Sequence, residues 1–573
     1  MSEQTPSAPH PAAVFLAALA RRPYATLVLL CLLAWLPGFA MLPALDRDEA
    51  RFAQASKQMV ETGNLIDIRF GGEARYKKPA GIYWLQAAAT KALGRPPYDQ
   101  IWTYRLPSLL GGLAAVLLAF WSLGALAPPA TALAGAALLA LTLGLTAEAH
   151  IAKTDAVLLA SVLGAEGVLL RLYLAARDGA RARPGFGLAM AGWVAMAIGI
   201  LIKGPVIVAV VGLTALAVSL WDREWRWLAA TRPLPGLALT LVLVLPWLVA
   251  IGIQSHGQFF RDALGHDFAG KLVGGQEAHG APPGYYILLS TLTLWPATLF
   301  ALPGIGAAIA ARKEPAMRFL LSWAGAAWLM FTLVPTKLPN YILPVYPALA
   351  LMAALWLMRV PDAAETRGQK ILRIAASLQF AIGALGLAAA IAVAPEKYGS
   401  GTPLWLEAAA VLGAAVALVA AVLLVVRARL AALLAAVLSV FIFYPLLMWG
   451  AAPRLSDIWV SPRLAALVAK DRLPDDPPVV AAGYDEPSLV FLLGTQTQIA
   501  TGLRAADLAA AGGGLALIEA RQNRDFLNEL GHLRASAVVV DRLAGINYSH
   551  GRPVAITIYR VTPAPGVTNP PAE

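Results

Sequence analysis

A charged stretch between two apolar runs, residues 45–93, contains the side chains best suited to chemistry. It begins with Asp48, Glu49 and Arg51, and their spacing places Asp48 and Arg51 near one helical face. A carboxylate just outside a bilayer can orient a hydroxyl or take its proton. We therefore predict that Asp48 and Arg51 are catalytic and that Glu49 contacts substrate. Asp46 is interpreted as a helix cap, because acids in a first turn complement the helix dipole.

Two lysines directly before a proline, Lys77 and Lys78, form a second candidate group. A departing phosphate gains charge as it leaves, so a site that releases phosphate needs fixed cations at that place. The same lysines could instead reach lipid headgroups, with their stems along the apolar surface. The residues alone leave both interpretations open, and the first predicts that Lys77 and Lys78 bind a donor phosphate.

Three further polar segments stand at the ends of apolar runs. Lys153 and Asp155 mark a helix start, where Asp155 is either a simple cap or a functional acid. Tyr341 is either an interfacial anchor or a side chain that reaches into a site. We predict that Asp155 is catalytic. The predicted substrate contacts in these segments are Lys203, Lys337 and Tyr341.

The long connection 254–285 adds four candidates. His266, Glu277 and His279 are predicted to contact substrate. They are only weak candidates for metal ligands, because two histidines thirteen residues apart seldom define a metal site. Lys271 is a second predicted partner for a phosphate, beside the lysine pair of the first loop.

The composition indicates an integral membrane protein. Of the 573 residues, 58% are hydrophobic and 14% are charged, whereas soluble domains carry about 25% charged residues. The net charge of +11 would favour a nucleic-acid partner in a soluble protein. Here the cations must first be placed relative to a bilayer, and no nucleic-acid partner is predicted. The single cysteine, Cys31, excludes an intramolecular disulfide and a cysteine-based metal cluster.

About thirteen apolar runs of bilayer length organise the chain. Short connections rich in arginine alternate with connections of mixed charge, and the excess of cations places the arginine-rich set and the N-terminus in the cytoplasm. Every segment with candidate chemistry then falls on the outer face. We predict an all-α polytopic membrane domain over residues 1–450, with catalytic outer loops at 45–101 and 254–285.

After residue 450 the composition changes. Charged residues occur throughout, and helical patterns separate short β-type runs at 478–482, 515–518, 537–540 and 555–559. This alternation favours a small α/β soluble domain over residues 451–573, which the predicted topology places on the outer face of the membrane.

Six short motifs carry a resemblance to a known family. In chain order they are DEARF at 48–52, KKP at 77–79, YRLPS at 104–108, KTD at 153–155, KGP at 203–205 and KLPNYILPVYPAL at 337–349. The ordered set resembles the bacterial polyprenyl-phosphate-sugar-dependent glycosyltransferases of the GT-C superfamily. These include the aminoarabinose transferase of lipid A and the related protein mannosyltransferases.

The resemblance implies a role for five positions. Asp48 matches the catalytic acid in the first outer loop of the family, and Arg51 matches a basic residue of that motif. Lys78 matches the lysine before proline that contacts the lipid-linked phosphate. Asp155 matches an acid at a helix start, and Tyr341 matches the tyrosine after the K-L-P motif.

Several positions depart from the aminoarabinose transferases. Lys77 stands where they usually carry a glutamate of a metal site, which argues against a metal here. Phe52 stands where a tyrosine is common, and Lys271 stands about where an arginine follows the loop histidine, His266. The segment 274–283 resembles a different branch, so the sugar need not be aminoarabinose.

These observations predict an inverting glycosyltransferase of the periplasmic face of the bacterial inner membrane. It would move a sugar from a polyprenyl monophosphate, such as undecaprenyl phosphate, to a lipid or glycan acceptor, for which lipid A and lipopolysaccharide are candidates. No cofactor is required, and a divalent metal is not expected. The alternative is a membrane transporter or a flippase for lipid-linked sugars, with Glu166 as the main deeply placed acid. A scaffold that only presents the C-terminal domain leaves the charged first loop unexplained.

Overall fold

The computed structural model describes residues 11–178, 184–263, 265, 281–359 and 365–563. Up to residue 445 this part is almost entirely helical. The α-helices are α1 (Pro11–Leu19), α2 (Pro23–Trp35), α3 (Asp48–Thr62), α4 (Gly81–Leu93), α5 (Ile101–Leu123), α6 (Pro129–Ala140), α7 (Leu143–Ala149), α8 (Asp155–Arg177), α9 (Phe186–Lys203), α10 (Val206–Asp222), α11 (Pro233–Gln254), α12 (Gln258–Phe260), α13 (Tyr285–Thr293), α14 (Thr298–Ala310), α15 (Pro315–Leu333), α16 (Tyr346–Met358), α17 (Arg367–Tyr398), α18 (Leu404–Val425) and α19 (Arg429–Pro445).

Nine of the described helical segments are long and apolar enough to cross a membrane. They are α5, α8, α9, α11, α15, α17, α18, the segment Pro339–Met358 that contains α16, and the segment Arg429–Arg454 that contains α19. The pair α6 and α7, bent by 64°, passes the same test together, and α2, α10 and α14 are shorter apolar helices. The described residues thus supply nine candidate spans, or ten with the bent pair, against the predicted count of about thirteen, and the other predicted runs correspond to the shorter helices. The chain is a multi-pass membrane protein.

Beyond residue 455 the chain forms a mixed sheet covered by helices on both faces. Its elements are α20 (Val460–Asp471), β3 (Val480–Ala482), α21 (Pro487–Leu493), β4 (Gln498–Ala500), α22 (Gly502–Gly512), β5 (Gly514–Glu519), α23 (Ala520–His532), β6 (Ser536–Asn547) and β7 (Arg552–Thr562). A separate hairpin of β1 (Arg69–Phe70) and β2 (Glu73–Ala74) precedes α4.

The strand order in the sheet is β4-β3-β5-β7-β6, parallel from β4 to β5 and antiparallel from β5 to β6. One apolar core lies between the sheet and α20 and α21, and a second lies between the sheet and α22 and α23. The predicted β-type runs fall within or next to β3, β5, β6 and β7, so the prediction of a C-terminal α/β unit is confirmed.

The helix α3 lies outside the membrane spans and is buried along most of its length. It packs against α4 and α5 of the membrane part and against α21 of the C-terminal unit. A helix that carries a charged sequence but is covered on several sides must find partners for its polar groups. Those partners define the candidate site.

Candidate active site

A cavity of about 530 Å³ lies beside the start of α4, among α8 to α11 and α15. Its walls are mostly apolar, and the polar residues among the described ones that line it are Lys77, Lys78, Asp155, Lys203, Asn340 and Tyr341. Five of these six are residues whose function the sequence predicted. The fold therefore gathers four separate motifs at one end of an otherwise apolar space.

Asp155 organises one wall of this cavity. Its carboxylate is buried, and Oδ1 accepts from Lys203 Nζ at 2.5 Å and from Asn340 Nδ2 at 2.8 Å. The Lys203 ammonium also lies 5.0 Å from the ring centroid of Tyr341. Charge-assisted bonds of this kind hold their partners in a narrow range of positions. Asp155 thus fixes a cation, an amide and an aromatic ring beside the same space.

A glycine allows the lysine pair to reach the same cavity. Gly81 begins α4 directly after the Lys77–Ala80 segment. A Cβ atom at Gly81 would lie 2.7 Å from the carbonyl oxygen of Leu201, near the end of α9. Only the absence of a side chain permits this approach. The contact brings Lys77 and Lys78 to the same cavity as Lys203, which ends α9.

Asp48 stands at the first position of α3, half-buried, and does not line the cavity. Burial alone would raise the pKa of its carboxyl, but Lys153, Arg75, Arg51 and Arg47 outweigh burial and hold the pKa below its usual value. The helix N-terminus favours the anion as well. Asp48 is therefore ionised at neutral pH, as a general base must be.

Lys153 connects Asp48 with the cavity. Burial would lower the pKa of its ammonium, but the surrounding carboxylates of Glu148, Asp155 and Asp48 raise it above the usual value. Glu148 is buried at the end of α7, and its Oε2 has no hydrogen-bond partner among the residues that the structure describes. The carboxylates of Asp48 and Asp155 therefore both act on the Lys153 ammonium.

Sequence analysis missed Asn340 and Glu148 as parts of this site. Asn340 lies inside the K-L-P-N-Y motif, so its position next to Tyr341 was the available signal. Glu148 lies five residues before Lys153 in the same outer connection. Its spacing alone could not distinguish it from an ordinary surface acid.

The predicted contact between Glu49 and substrate is wrong, because both of its carboxylate oxygens are used inside the protein. Glu49 is 1% exposed and pairs with Arg105 at 2.8 and 2.9 Å. It also accepts from the amides of Leu45 and Ala152, each at 2.8 Å. The same arginine donates to the carbonyl oxygens of Phe39, Leu42 and Pro43. Glu49 therefore anchors the first outer loop to the membrane part.

Lys337 also differs from its prediction as a substrate contact. Its side chain is buried, does not line the cavity, and donates from Nζ to the carbonyl oxygen of Val334 at 2.8 Å. Val334 is the C-cap residue that follows α15, and a cation there complements the helix dipole. Lys337 stabilises the turn that presents Asn340 and Tyr341.

The interpretation of Asp46 as a helix cap is wrong. The cap position of α3 is Arg47, which makes no side-chain capping bond. Asp46 instead accepts a short hydrogen bond from the Ser488 hydroxyl of α21. Burial raises the pKa of Asp46 to about 7, with the Ser488 hydrogen bond opposing that shift and Glu486 adding to it. Asp46 belongs to a contact with the C-terminal unit.

Four predicted site residues lie outside the described residues. They are Lys271, His266, Glu277 and His279. Within the described ranges, no group of three or more histidine, cysteine, aspartate or glutamate side chains is arranged to hold a metal ion. The roles of these four residues stay predictions.

Glu166, the deep acid of the transport alternative, joins two helices. The Thr214 hydroxyl of α10 donates to its Oε1 at 2.7 Å, and the residue is fully buried in α8. Such a bond across neighbouring helices is an ordinary means of packing a membrane bundle. The structure therefore offers a packing role for this acid.

Comparisons with known proteins agree with the motif resemblance. Residues 42–257 match the family model described as dolichyl-phosphate-mannose-protein mannosyltransferase. The chain is 29% identical over 336 residues to an undecaprenyl phosphate-alpha-4-amino-4-deoxy-L-arabinose arabinosyl transferase of Pseudomonas paraeruginosa, covering 58% of this chain and 59% of that protein. A transferase of the same name from Edwardsiella ictaluri is 28% identical, covering 62% of this chain and 63% of that protein. The chain thus matches less than two thirds of the length of these relatives.

The fold matches solved structures along nearly the whole chain. ArnT from Cupriavidus metallidurans bound to undecaprenyl phosphate superposes with a TM-score of 0.72 at 19% identity, covering 98% of this chain and 99% of that one. An oligosaccharyltransferase of Archaeoglobus fulgidus gives a TM-score of 0.50 at 12% identity, covering 92% of this chain and 70% of that one. The predicted fold and the resemblance are confirmed. Together with the apolar helices, they indicate a multi-pass protein of the bacterial inner membrane.

Proposed function

We propose that the chain transfers a sugar from a polyprenyl monophosphate to an acceptor hydroxyl or phosphate. The observation that carries this proposal is the cavity, which is apolar along its walls and cationic at one end. A polyprenyl phosphate matches this arrangement, because it has a long apolar chain that ends in one anionic head group. Lys77, Lys78 and Lys203 would meet the phosphate, and the apolar walls would meet the first isoprenoid units.

The reaction follows as a single displacement. The acceptor oxygen forms a bond to the anomeric carbon while the bond from that carbon to the phosphate oxygen breaks, which inverts the configuration. The proton of an acceptor hydroxyl passes to the Asp48 carboxylate, and the electron pair of the broken bond stays on the polyprenyl phosphate. Lys77, Lys78 and Lys203 stabilise that growing charge, which is where preorganised cations accelerate a reaction most.

Fixed charges support these separate roles of Asp48 and the cavity lysines. Asp48 is kept ionised by Lys153 and three arginines, so it can accept a proton at neutral pH. Asp155 holds Lys203 at the cavity, so the cation is in place before the donor arrives. Asn340 and Tyr341 lie beside Lys203 and line the same cavity, so they can also contact the donor head.

We propose that transfer needs no metal ion. Position 77 carries a lysine, which is a cation and not a carboxylate that could bind a metal ion. Together with Lys78 and Lys203 it lines the cationic end of the cavity. These side chains can stabilise a monophosphate leaving group through charge-assisted hydrogen bonds. The described residues also supply no group of three metal-binding side chains.

We propose that the N-terminus is cytoplasmic and that the C-terminal unit is periplasmic. The helix α8 begins at Asp155 beside the cavity and ends at Arg177. Its 23 residues span about 34 Å, enough to cross a bilayer. At the far end, Arg177 and Arg318 pair with Asp222. The enrichment of arginine at that end supports its placement in the cytoplasm.

The test compares four strains by mass spectrometry of membrane lipids and surface glycans: wild type, a deletion, Asp48→Asn and Glu73→Gln. Glu73 is an exposed acid of the same loop, so its variant is the matched control. We expect the deletion and Asp48→Asn to lose one sugar from the same acceptor and to accumulate its polyprenyl phosphate donor, while Glu73→Gln stays unchanged.

The result also identifies both substrates. If Asp48→Asn accumulates to the wild-type protein level and leaves the sugar in place, the assignment of the base is refuted. If neither the deletion nor Asp48→Asn changes the profile, the transferase proposal fails, and transport of lipid-linked sugar becomes the hypothesis to test.

A further inference from the structure

The C-terminal unit packs directly on the helix that begins at Asp48. The amide of Gln54 on α3 donates to the Thr495 hydroxyl at 2.8 Å, and that hydroxyl donates to Glu61 of α3 at 2.7 Å. Lys57, which is 1% exposed, donates to the carbonyl oxygen of Phe491 at 3.2 Å. This carbonyl lies near the C-terminus of α21, where the helix dipole favours a cation. Polar contacts therefore join α3 to α21 and to the residues that follow it, and the Lys57 contact is buried.

A second set of contacts fixes the residue two positions before Asp48. The backbone amide of Asp46 donates to the Tyr548 hydroxyl at 2.6 Å, and the Asp46 carboxylate accepts from the Ser488 hydroxyl. Ser488 belongs to α21, whereas Tyr548 lies in the turn between β6 and β7. Two separate elements of the C-terminal unit thus hold one residue of the catalytic loop, through both its backbone and its side chain.

The residue between Asp46 and Asp48 explains why the loop needs these contacts with the C-terminal unit. Arg47 has φ of 62° and ψ of −102°, a left-handed backbone conformation that residues with a side chain seldom adopt. An unfavourable conformation persists only where the surrounding structure determines it. Glu49 fixes the loop on the membrane side through Arg105, and Asp46 fixes it on the side of the C-terminal unit.

We propose that Asp46, Ser488 and Tyr548 are positioning residues that hold the Asp48 carboxylate in its reactive place. The inference rests on the proposed function and deepens it. It assigns the C-terminal unit a part in catalysis although none of the unit's residues up to 563, where the described part ends, lines the cavity. The unit would act on the step in which Asp48 takes the proton, and not on the binding of the lipid phosphate.

The test uses the purified full-length chain with three single substitutions and, in addition, two variants of Asp46. Tyr548→Phe removes the acceptor of the Asp46 amide, and Ser488→Ala removes the donor to its carboxylate. Tyr559→Phe is the matched control, because it removes another tyrosine hydroxyl of the same unit, bonded to Asn523 at 2.7 Å and remote from the loop. Three quantities are measured: amide hydrogen exchange over residues 44–62, binding of undecaprenyl phosphate, and turnover with the donor that the strain comparison identifies.

Losing the partner of a buried amide costs enough to change a population about tenfold. We therefore expect Tyr548→Phe and Ser488→Ala to speed exchange of the loop amides and to lower kcat, each by about tenfold. Affinity for undecaprenyl phosphate should stay within about twofold, since the lysines of the cavity are untouched. Asp46→Asn, which keeps an oxygen for Ser488, should retain more turnover than Asp46→Ala.

Unchanged exchange in both Tyr548→Phe and Ser488→Ala overturns the proposal, whatever the turnover. An equal effect of Tyr559→Phe also overturns it, because the cause would then be general loss of stability in the C-terminal unit. Weaker binding of undecaprenyl phosphate at normal kcat would place the contact in donor binding and overturn it too. Failure of the wild-type chain to transfer sugar refutes the proposed function instead, and the exchange data still report separately whether the unit holds the loop.

Discussion

Replacing Gly81 by alanine tests whether the cavity depends on the close contact between α4 and α9. The new Cβ would lie 2.7 Å from the Leu201 carbonyl oxygen and 2.9 Å from its carbonyl carbon. Both neighbours are backbone atoms, so they cannot move aside as a side chain can. Ordinary van der Waals contact begins at 3.4 Å, so the two helices must separate by about 0.7 Å.

That separation acts on the cations of the cavity. Lys77 and Lys78 precede α4, whereas Lys203 ends α9, so the shift would open the place where the donor phosphate is proposed to bind. A displacement of about 1 Å at a reacting centre can cost about 10²-fold in rate. For the smaller shift we expect kcat/KM to fall roughly 10- to 50-fold, with weaker binding of undecaprenyl phosphate.

The assay measures binding of undecaprenyl phosphate and turnover of the purified Gly81→Ala protein. Gly212→Ala is the control, because Gly212 is also helical, lies in α10 beside the cavity, and has no atom within 4 Å of an added Cβ. Its kinetics should equal those of the wild type. If Gly81→Ala also binds and turns over like the wild type while Gly212→Ala behaves as expected, the helix contact does not set the cationic site.

Two further predictions concern charge. Lys153→Met removes the strongest cation acting on Asp48, so the pKa of Asp48 should rise and the acidic limb of the pH profile of kcat/KM should move to higher pH. Lys91→Met, which removes a lysine at an exposed site, is the control. An acidic limb that does not move in Lys153→Met would contradict the electrostatic role of Lys153. Removal of metal ions with a chelator should leave turnover unchanged, and a loss restored by zinc or magnesium would refute the metal-free mechanism.

The sequence allowed the main parts of the site to be predicted because they lie in short motifs with a charged residue at a helix end. Lys78, Asp155 and Tyr341, which the ordered motifs singled out, all line the cavity. The membrane fold could be predicted for a related reason, since an apolar run of bilayer length has few alternatives to a transmembrane helix. Such signals are local in the sequence, so they can be recognised without knowledge of the tertiary contacts.

The errors arose where the partner of a charge is remote in sequence. Glu49 resembles a site residue until Arg105, 56 positions away, is seen to occupy both of its oxygens. Asp46 resembles a helix cap until Ser488, 442 positions away, is found at its carboxylate. A charged residue in a motif indicates that an interaction exists, but its partner decides whether that interaction is structural or catalytic.

These remote contacts change what a truncation can reveal. Removing residues 451–573 is an obvious way to ask whether the chemistry lies in the membrane part. The truncation would also remove α21, exposing Lys57 and leaving the amide of Asp46 without the Tyr548 hydroxyl. Loss of transfer would therefore follow even if every reacting group lay in the membrane part. Single substitutions at Ser488 and Tyr548 separate the two explanations, because they leave the C-terminal unit in place and release only its hold on the loop.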